Sequence, residues 1–469
     1  MKHQTRRTFI KAAVRGGAGI VILPNILPRS LFAAESPNKR IHVAQIGCGR
    51  EGHVDMSGVM AHPLCRVVAV CDLDSKRAAA AKDVVVKFYK DKGEADGEVQ
   101  VFHDFHEVLA RPDIDAVVVS VPDHWHALVA TAAALAGKHI YVQKPITYCI
   151  SEAMALRTAV RAKKVIVQAG SQQRSEHPFV AFRAASEAVR NGRIGKLQTI
   201  KIGIGLDRAS GKAPAEMPVP ANLDYERWLG PAPEQPYMEG RVHPQSGLGR
   251  PGWITTEDFG LGMITNWGAH HIDIAQWAMG MELSGPTTIS AQAEFMKNDV
   301  WTVHTTYHAE MLYANGTQVI LDNKFENGLR FEGTEGWTFC SRGSVKVTSS
   351  DGNAAEPEDT RGPLRASDPK ILSPLGSDAK RWPASPNHYL NWLQSIVANR
   401  DPIAPVDQAA RSLEACATAW IGMKLNRKLT WDPEKEMFVN DDEANALRTR
   451  KARKAEYDIA EVLKKAGLA

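Results

Sequence analysis

The chain has 469 residues, 44% of them apolar and 23% charged, with a formal net charge of +4. That composition describes a globular protein with a large core, long enough for two domains. The charge is uneven: residues 1–34 hold six Lys/Arg and no acid, leaving 51 basic and 53 acidic residues, a formal charge of −2. A chain that is faintly acidic beyond its first residues carries no electrostatic footprint for nucleic acid or an anionic membrane.

Residues 3–14, "HQTRRTFIKAAV", set Arg6 and Arg7 ahead of a mildly apolar run. This is the form of a twin-arginine (Tat) signal, which sends proteins across a membrane already folded. We expect residues 1–34 to be that signal, the protein to be periplasmic or otherwise exported, and the Tat export machinery to be a partner. The run from Ile10 to Leu27 is interrupted by Arg15 and Asn25, whereas a membrane span wants roughly 20 apolar residues without charge. A retained N-terminal anchor is the alternative to cleavage. Six cysteines show no Cys-x-x-Cys pair and read as isolated small core residues. No metal site is expected.

From residue 38 to 173 short Val/Ile-rich runs alternate with helical patterns. "IHVAQIG", "RVVAVCDLD", "DAVVVSVPD", "HIYVQKP" and "VIVQAG" are unbroken apolar runs, as expected of parallel strands buried on both faces. Between them lie Ala/Leu/Lys-rich helical stretches such as "SKRAAAAKDVVVKFYK" and "SEAMALRTAVRAKK". The alternation predicts an α/β fold with a doubly wound parallel sheet, a Rossmann nucleotide-binding domain. Residues 174–440 differ in character. A Pro/Gly-rich segment at 208–258 precedes a helix near 266–280. Runs alternating in period two, with Asn-Gly and Arg-Gly turns, then predict a large, mostly antiparallel open sheet. Helices are expected at 387–399 and 406–425, and residues 441–469 form a charged tail.

"IGCGREG" places Gly47, Gly49 and Gly52 as G-x-G-x-x-G directly after a strand and before a helix. The first glycine makes the tight turn, the second admits a pyrophosphate, and the third permits close helix packing. Arg50 and Glu51 complete the loop, and the helix N-terminus offers partial positive charge to phosphates. Asp72 ends the second strand where an acid accepts a ribose 2′-OH, and Asp74 adds repulsion toward a 2′-phosphate. NAD is therefore favoured over NADP, with Lys76 and Arg77 as the residues that would suit NADP.

"YVQKPI" puts Gln143 and Lys144 at a strand end, where ligands sit in doubly wound sheets. A lysine there can hydrogen-bond a substrate hydroxyl, and burial beside a cationic nicotinamide lowers its pKa. "TNWGAHHIDIAQW" spaces Asn266, His270 and Asp273 four and three apart, one face of an otherwise apolar helix. His270 can serve as a general acid/base because its unperturbed pKa lies near neutrality.

With "VPDHWHA", "AGKHIYVQKPI", "NGRIGKL" and the "WGAHHIDIAQW" helix in this order, the chain resembles the glucose–fructose oxidoreductase / inositol dehydrogenase / MocA family over roughly residues 40 to 440. The resemblance implies a Rossmann domain followed by an α/β domain whose open sheet often forms the oligomer interface. It implies Lys144 and His270 as the catalytic pair, with Asn266 positioning. The loop with Pro122, His124 and His126 would lie near the nicotinamide. Two positions depart from the family: Gln143 replaces the usual Glu, and Asn266 replaces an Asp. Neutral amides there predict a less anionic site. Aromatic and bidentate groups suit sugar faces and hydroxyl rims, so Arg174, Arg227, Trp228, Trp253 and Asp273 are assigned to the substrate. The long segment also carries Asp207, Arg208, Tyr225, Tyr237, Arg241 and His243.

The sequence reading is thus an exported oxidoreductase that holds NAD tightly, oxidises a hydroxyl of a sugar, cyclitol or glycoside, and assembles as a homo-oligomer. Folded export would let the protein carry its cofactor out with it. One alternative is a redox-neutral NAD-dependent glycoside hydrolase, in which oxidation acidifies a ring C–H and elimination, hydration and re-reduction follow. Another is a non-catalytic sugar-binding or scaffold relative.

Overall fold

The computed structural model describes residues 40–94, 97–207, 213–343 and 362–468. The predicted export signal at 1–34 and Arg208 lie outside them. Strands β1 (Ile41–Ile46), β2 (Cys65–Cys71), β3 (Gln100–Phe102), β4 (Ala116–Val119), β5 (His139–Val142) and β6 (Val167–Ala169) form one parallel sheet in the order β3-β2-β1-β4-β5-β6. Helices α1 (Arg50–Met60), α2 (Ser75–Asp91), α3 (Phe105–Leu109), α4 (Asp123–Leu135) and α5 (Ile150–Lys163) alternate with the strands. Val43, Val117, Val119, Ile140 and Val142 are fully buried. Cover on both faces is why these runs need no polar alternation. Strand order reverses between β1 and β4, and that reversal opens a crevice beyond the strands' carboxyl ends.

The chain crosses to the second sheet through α6 (Val180–Arg190) and β7 (Leu197–Gly203). Four helices follow: α7 (Tyr225–Leu229), α8 (Glu239–Val242), α9 (Met263–Asn266) and α10 (Gly268–Met279). Strands β8 (Pro286–Phe295), β9 (His304–Tyr313), β10 (Gln318–Asp322), β11 (Gly328–Gly333), β12 (Trp337–Cys340) and β13 (Leu364–Ala366) come next. Then α11 (His388–Ala398), α12 (Val406–Leu425), β14 (Lys428–Asp432) and β15 (Met437–Phe438) complete the domain. The nine strands lie in the order β13-β12-β11-β7-β10-β9-β8-β14-β15, and only β7 with β10 is parallel. One face carries the core: Ile200, Ile202, Met311, Val319 and Phe331 pack there with Ile272, Trp277 and Ile421 from the helices. The six cysteines are buried free thiols. No helix among the described residues is long and apolar enough to cross a membrane.

Residues 441–468, read from sequence as a charged tail, are folded. They form α13 (Asp442–Ala446) and α14 (Ile459–Lys465), and α14 returns to α4 and α5 of the first sheet.

Helix α12 joins the two domains, packing on β8 and α10 on one side and on α5 and β6 on the other. Beneath this junction the Arg174 guanidinium grips both oxygens of Asp273, at 2.7 Å each. Ser412 of α12 donates to the same carboxylate at 2.9 Å, and Arg174 donates to Ile403 O at 3.1 Å. Arg174 and Asp273 are each 1% exposed. Removing one partner of such a pair strands a buried charge. We therefore predict that Arg174→Ala lowers stability by about 3–5 kcal/mol in denaturant unfolding, and that Arg174→Met with Asp273→Leu recovers most of the loss. A single variant within about 0.5 kcal/mol of the parent would contradict this structural role.

Candidate active site

The crevice continues as a cleft of about 870 Å³ that runs from the glycine loop, past the ends of β4 and β5, to α9 and α10. At one end the backbone is shaped for close approach. Gly47 adopts φ +88, and a Cβ there would fall 2.5 Å from Ser120 O. A Cβ on Gly52 would lie 2.0 Å from Gly47 O, so the third glycine is a packing residue below the cleft, while Gly47, Gly49, Arg50 and Glu51 line it. The Asp72 carboxylate accepts from the backbone N–H groups of Cys48 (2.7 Å) and Asp74 (2.8 Å). It thereby fixes the loop while still lining the cleft; burial raises its pKa. A side-chain-free cradle ahead of a helix N-terminus, with an acid at the end of the second strand, fits a dinucleotide.

Asp74 does not face that cradle. It caps α2 through the N–H groups of Lys76 and Arg77. It also accepts from Asn222 Nδ2 and pairs with His243 Nε2, both at 2.9 Å. The expected repulsion of a 2′-phosphate therefore falls to Asp72. Arg77 lines the cleft and donates to Pro244 O at 3.2 Å.

At the other end, Lys144 leaves β5 and reaches α9, donating to Asn266 Oδ1 (2.7 Å) and Asn266 O (3.0 Å). Burial lowers its pKa, opposed by Asp123 and Glu51 and reinforced by Arg342 and Arg250. His270 is 6% exposed and lines the same end. Its Nδ1 and the Nδ2 of Asn266 have no partner among the described residues. Burial, followed by Arg342 and Lys144, holds His270 well below its ordinary pKa, so the ring is neutral near pH 7. His126 also lines the cleft. It engages Pro145 O at 2.6 Å and so braces the turn that carries Lys144.

Several expected site residues lie elsewhere. His124 points away from the cleft, with Nε2 2.9 Å from Trp228 O and its ring against Phe259. Arg174 and Asp273 are occupied with each other below the cleft floor. Asp273 does follow His270 on α10, but three residues further advance the helix by about 4.5 Å, into the contact with α12. Arg227 and Trp228 line the nucleotide side: Arg227 pairs with Asp104 beyond β3 at 3.5 Å, and Trp228 O accepts from Trp125 Nε1 at 3.0 Å. Trp253 alone of the assigned aromatics sits near Lys144's neighbours. Gly260, where a Cβ would lie 3.3 Å from both, separates its ring from Asp123.

The neutral amide at position 143 meets a buried carboxyl. Gln143 Nε2 donates to both oxygens of Asp55, at 2.9 and 3.0 Å, and the same carboxylate accepts from Ser120 Oγ (2.7 Å) and Tyr389 OH (2.9 Å). Burial pushes Asp55 up to about 8. Asp123, 7% exposed at the start of α4, lines the cleft, and burial pushes it up to about 7 against the pull of Lys144. Two buried carboxyls, Asp55 and Asp123, thus stand near the neutral amides and the lysine, and burial holds both back from ionising. Sequence reasoning missed both, together with Arg342, which lines the cleft between the rings of Phe179 (4.7 Å) and Trp267 (4.4 Å). For Asp123 a signal existed, since "VPD" ends the strand beside the one that ends in Lys144.

Known proteins share this architecture. Residues 41–171 match the oxidoreductase family's NAD-binding Rossmann fold, and residues 207–356 match its C-terminal alpha/beta domain. An uncharacterised oxidoreductase of Bacillus subtilis, YrbE, is 24% identical over 292 residues, 61% of this chain and 67% of its own. The myo-inositol 2-dehydrogenase of Thermotoga maritima is 24% identical over 225 residues, 46% of this chain and 63% of that one. A glycosyl hydrolase family 109 protein of Solibacter usitatus is 31% identical over 165 residues, 33% and 36% of the two chains. The chain thus spans between about a third and two thirds of these relatives' lengths. Among solved structures, the WlbA dehydrogenase from Bordetella pertussis, in complex with NADH and UDP-GlcNAcA, has the same fold. It superposes with a TM-score of 0.58 at 15% identity, covering 84% of this chain and 99% of its own. The aldose-aldose oxidoreductase from Caulobacter crescentus, complexed with glycerol, gives 0.58 at 16% identity, covering 83% and 99%. The chain belongs to the glucose–fructose oxidoreductase / inositol dehydrogenase / MocA family of oxidoreductases, with an NAD-binding Rossmann domain.

Proposed function

We propose that the protein is an exported dehydrogenase that keeps NAD bound and oxidises a hydroxyl of a sugar, cyclitol or glycoside. The observation that carries this reading is the far end of the cleft. There an anchored lysine and an imidazole whose Nδ1 has no partner among the described residues share one cleft with the glycine loop. NAD, when bound, supplies a hydride acceptor there. Neutral Lys144 has two N–H bonds, and Asn266 O and Oδ1 accept both, so the remaining lone pair is held toward the cleft. That lone pair takes the hydroxyl proton of the carbon being oxidised; burial makes the ammonium readily deprotonated, while Asp123 and Glu51 keep the amine basic enough for the purpose. His270, neutral and unengaged, supplies the second acid/base group and fixes the orientation of the ring. The likeness to inositol dehydrogenases and an aldose-aldose oxidoreductase supports the substrate class. The twin arginines at positions 6 and 7 support export, and the open nine-stranded sheet is the surface we assign to homo-oligomer assembly.

A second reading, redox-neutral glycoside hydrolysis, is favoured by Asp123. Its carboxyl gains and loses a proton near neutrality at the lysine end of the cleft, which suits removal of a ring proton after oxidation. The relative named as a glycosyl hydrolase family 109 protein points the same way. The products separate the readings: a free sugar with no net reduced cofactor for one, an oxidised sugar with reduced cofactor for the other.

Lys144→Ala and His270→Ala are each expected to slow the chemical step about 10²–10⁴-fold while NAD still binds by calorimetry. Turnover at the parental rate in either variant would remove that residue from the mechanism. Oxidation should rise with pH as Lys144 loses its proton. Asp123 favours the charged ammonium, so Asp123→Asn should move this rising limb to lower pH. A limb that stays in place or moves upward would show that Asp123 does not act on the lysine.

A further inference from the structure

Beyond the residues that either family description covers, the last stretch of the chain comes back to the cleft. Arg450 donates to Glu152 Oε1 at 2.7 Å and to His124 O at 2.6 Å, with its guanidinium 4.4 Å from the Tyr148 ring. Arg453 donates to Gly230 O and Glu226 O, both at 2.7 Å. These two arginines pin the chain to α5, to the start of α4 and to the segment around α7. From there residues 455–468 lie against α4 and α5. Leu463 is 8% exposed in the core of the first domain, and the Tyr457 ring meets Trp125 edge-on at 5.5 Å.

Tyr457, Val462, Glu456 and Lys465 line the cleft together with Phe105, Trp125, Leu128 and Val129. This apolar slot lies on the β2–β3 side of the crevice. Phe105 follows β3, and its ring is 6.0 Å from Trp125. Lys144 and Asn266 occupy the opposite end. A dinucleotide whose nicotinamide reaches Lys144 must direct its adenosine toward Asp72 and this slot. A flat, largely apolar pocket walled by aromatic rings suits a purine.

We propose that residues 455–468 are part of the dinucleotide site, forming the outer wall of the adenosine pocket and slowing release of the cofactor. The inference rests on NAD binding by the Rossmann domain and not on which substrate is oxidised. Two variants test it: a chain ending at Lys454, which keeps both anchoring arginines, and Tyr457→Ala in the full chain. NAD, ADP-ribose and nicotinamide mononucleotide are titrated into each by calorimetry, and NAD release is timed after dilution. In both variants NAD and ADP-ribose should bind about tenfold more weakly and NAD should leave correspondingly faster, with the mononucleotide within about twofold of the parent. ADP-ribose affinity within about twofold of the parent in both variants would overturn the proposal, as would equal losses for ADP-ribose and the mononucleotide. A full-length protein that binds neither NAD nor ADP-ribose would overturn it together with the cofactor site itself.

Discussion

One lysine leaving the first sheet and captured by the second domain organises this molecule. Lys144 lies at the end of β5, a strand fixed by its neighbours on both sides, and Asn266 ends α9, which the nine-stranded sheet supports. The bond between them spans the crevice that the reversal of strand order creates. Its geometry holds only if the two domains keep their relative position, and α12, packed on both, supplies that rigidity. The buried Arg174–Asp273 pair braces the same junction from below. Two residues assigned to sugar recognition by their chemistry thus serve the frame that carries the cleft.

Around the lysine the electrostatics are balanced by residues from six separate parts of the chain. Asp55 on α1, Gln143 after β5, Ser120 after β4 and Tyr389 on α11 share one buried hydrogen-bond network. Asp123 at the start of α4 and Arg342 after β12 act on the lysine with opposite signs. Of the two neutral amides, Gln143 links Asp55 to the Lys144 backbone, and Asn266 accepts from the Lys144 side chain. An amide at position 143 can donate to Asp55 and accept from the Lys144 backbone N–H at once, which a carboxylate cannot do.

The first sheet was legible because strands buried on both faces have to be unbroken apolar runs, and the glycine loop because its backbone demands appear as residue types. Lys144 stood out in the sequence as a lysine at a strand end of a doubly wound sheet, and Asn266 and His270 as polar groups in an apolar helical stretch that need partners. Periodicity states which residues share a helix face, but not what that face meets further along. Hence Asp273, one turn beyond His270, was assigned to the cleft although it points into the contact with α12. His124, in the first turn of α4, was assigned there although it faces Trp228 and Phe259. Asp55 and Arg342 left no local trace, since their significance depends on residues far along the chain, such as Ser120 and Tyr389 for Asp55 and Phe179 and Trp267 for Arg342. The charge of residues 441–468 concealed a few apolar side chains, Tyr457, Val462 and Leu463, that decide where that stretch lies.

The most direct test of the account is transfer of label from substrate to cofactor. The protein, purified folded and loaded with NAD, is mixed with sugars, cyclitols and glycosides deuterated at their carbinol carbons. The nucleotide is then released by denaturation and weighed by mass spectrometry. The account predicts deuterium on the nicotinamide ring, approaching one equivalent per chain, with one class of these compounds, and none with Lys144→Ala. A protein that binds NAD stoichiometrically yet acquires no label from any of the three classes would contradict it.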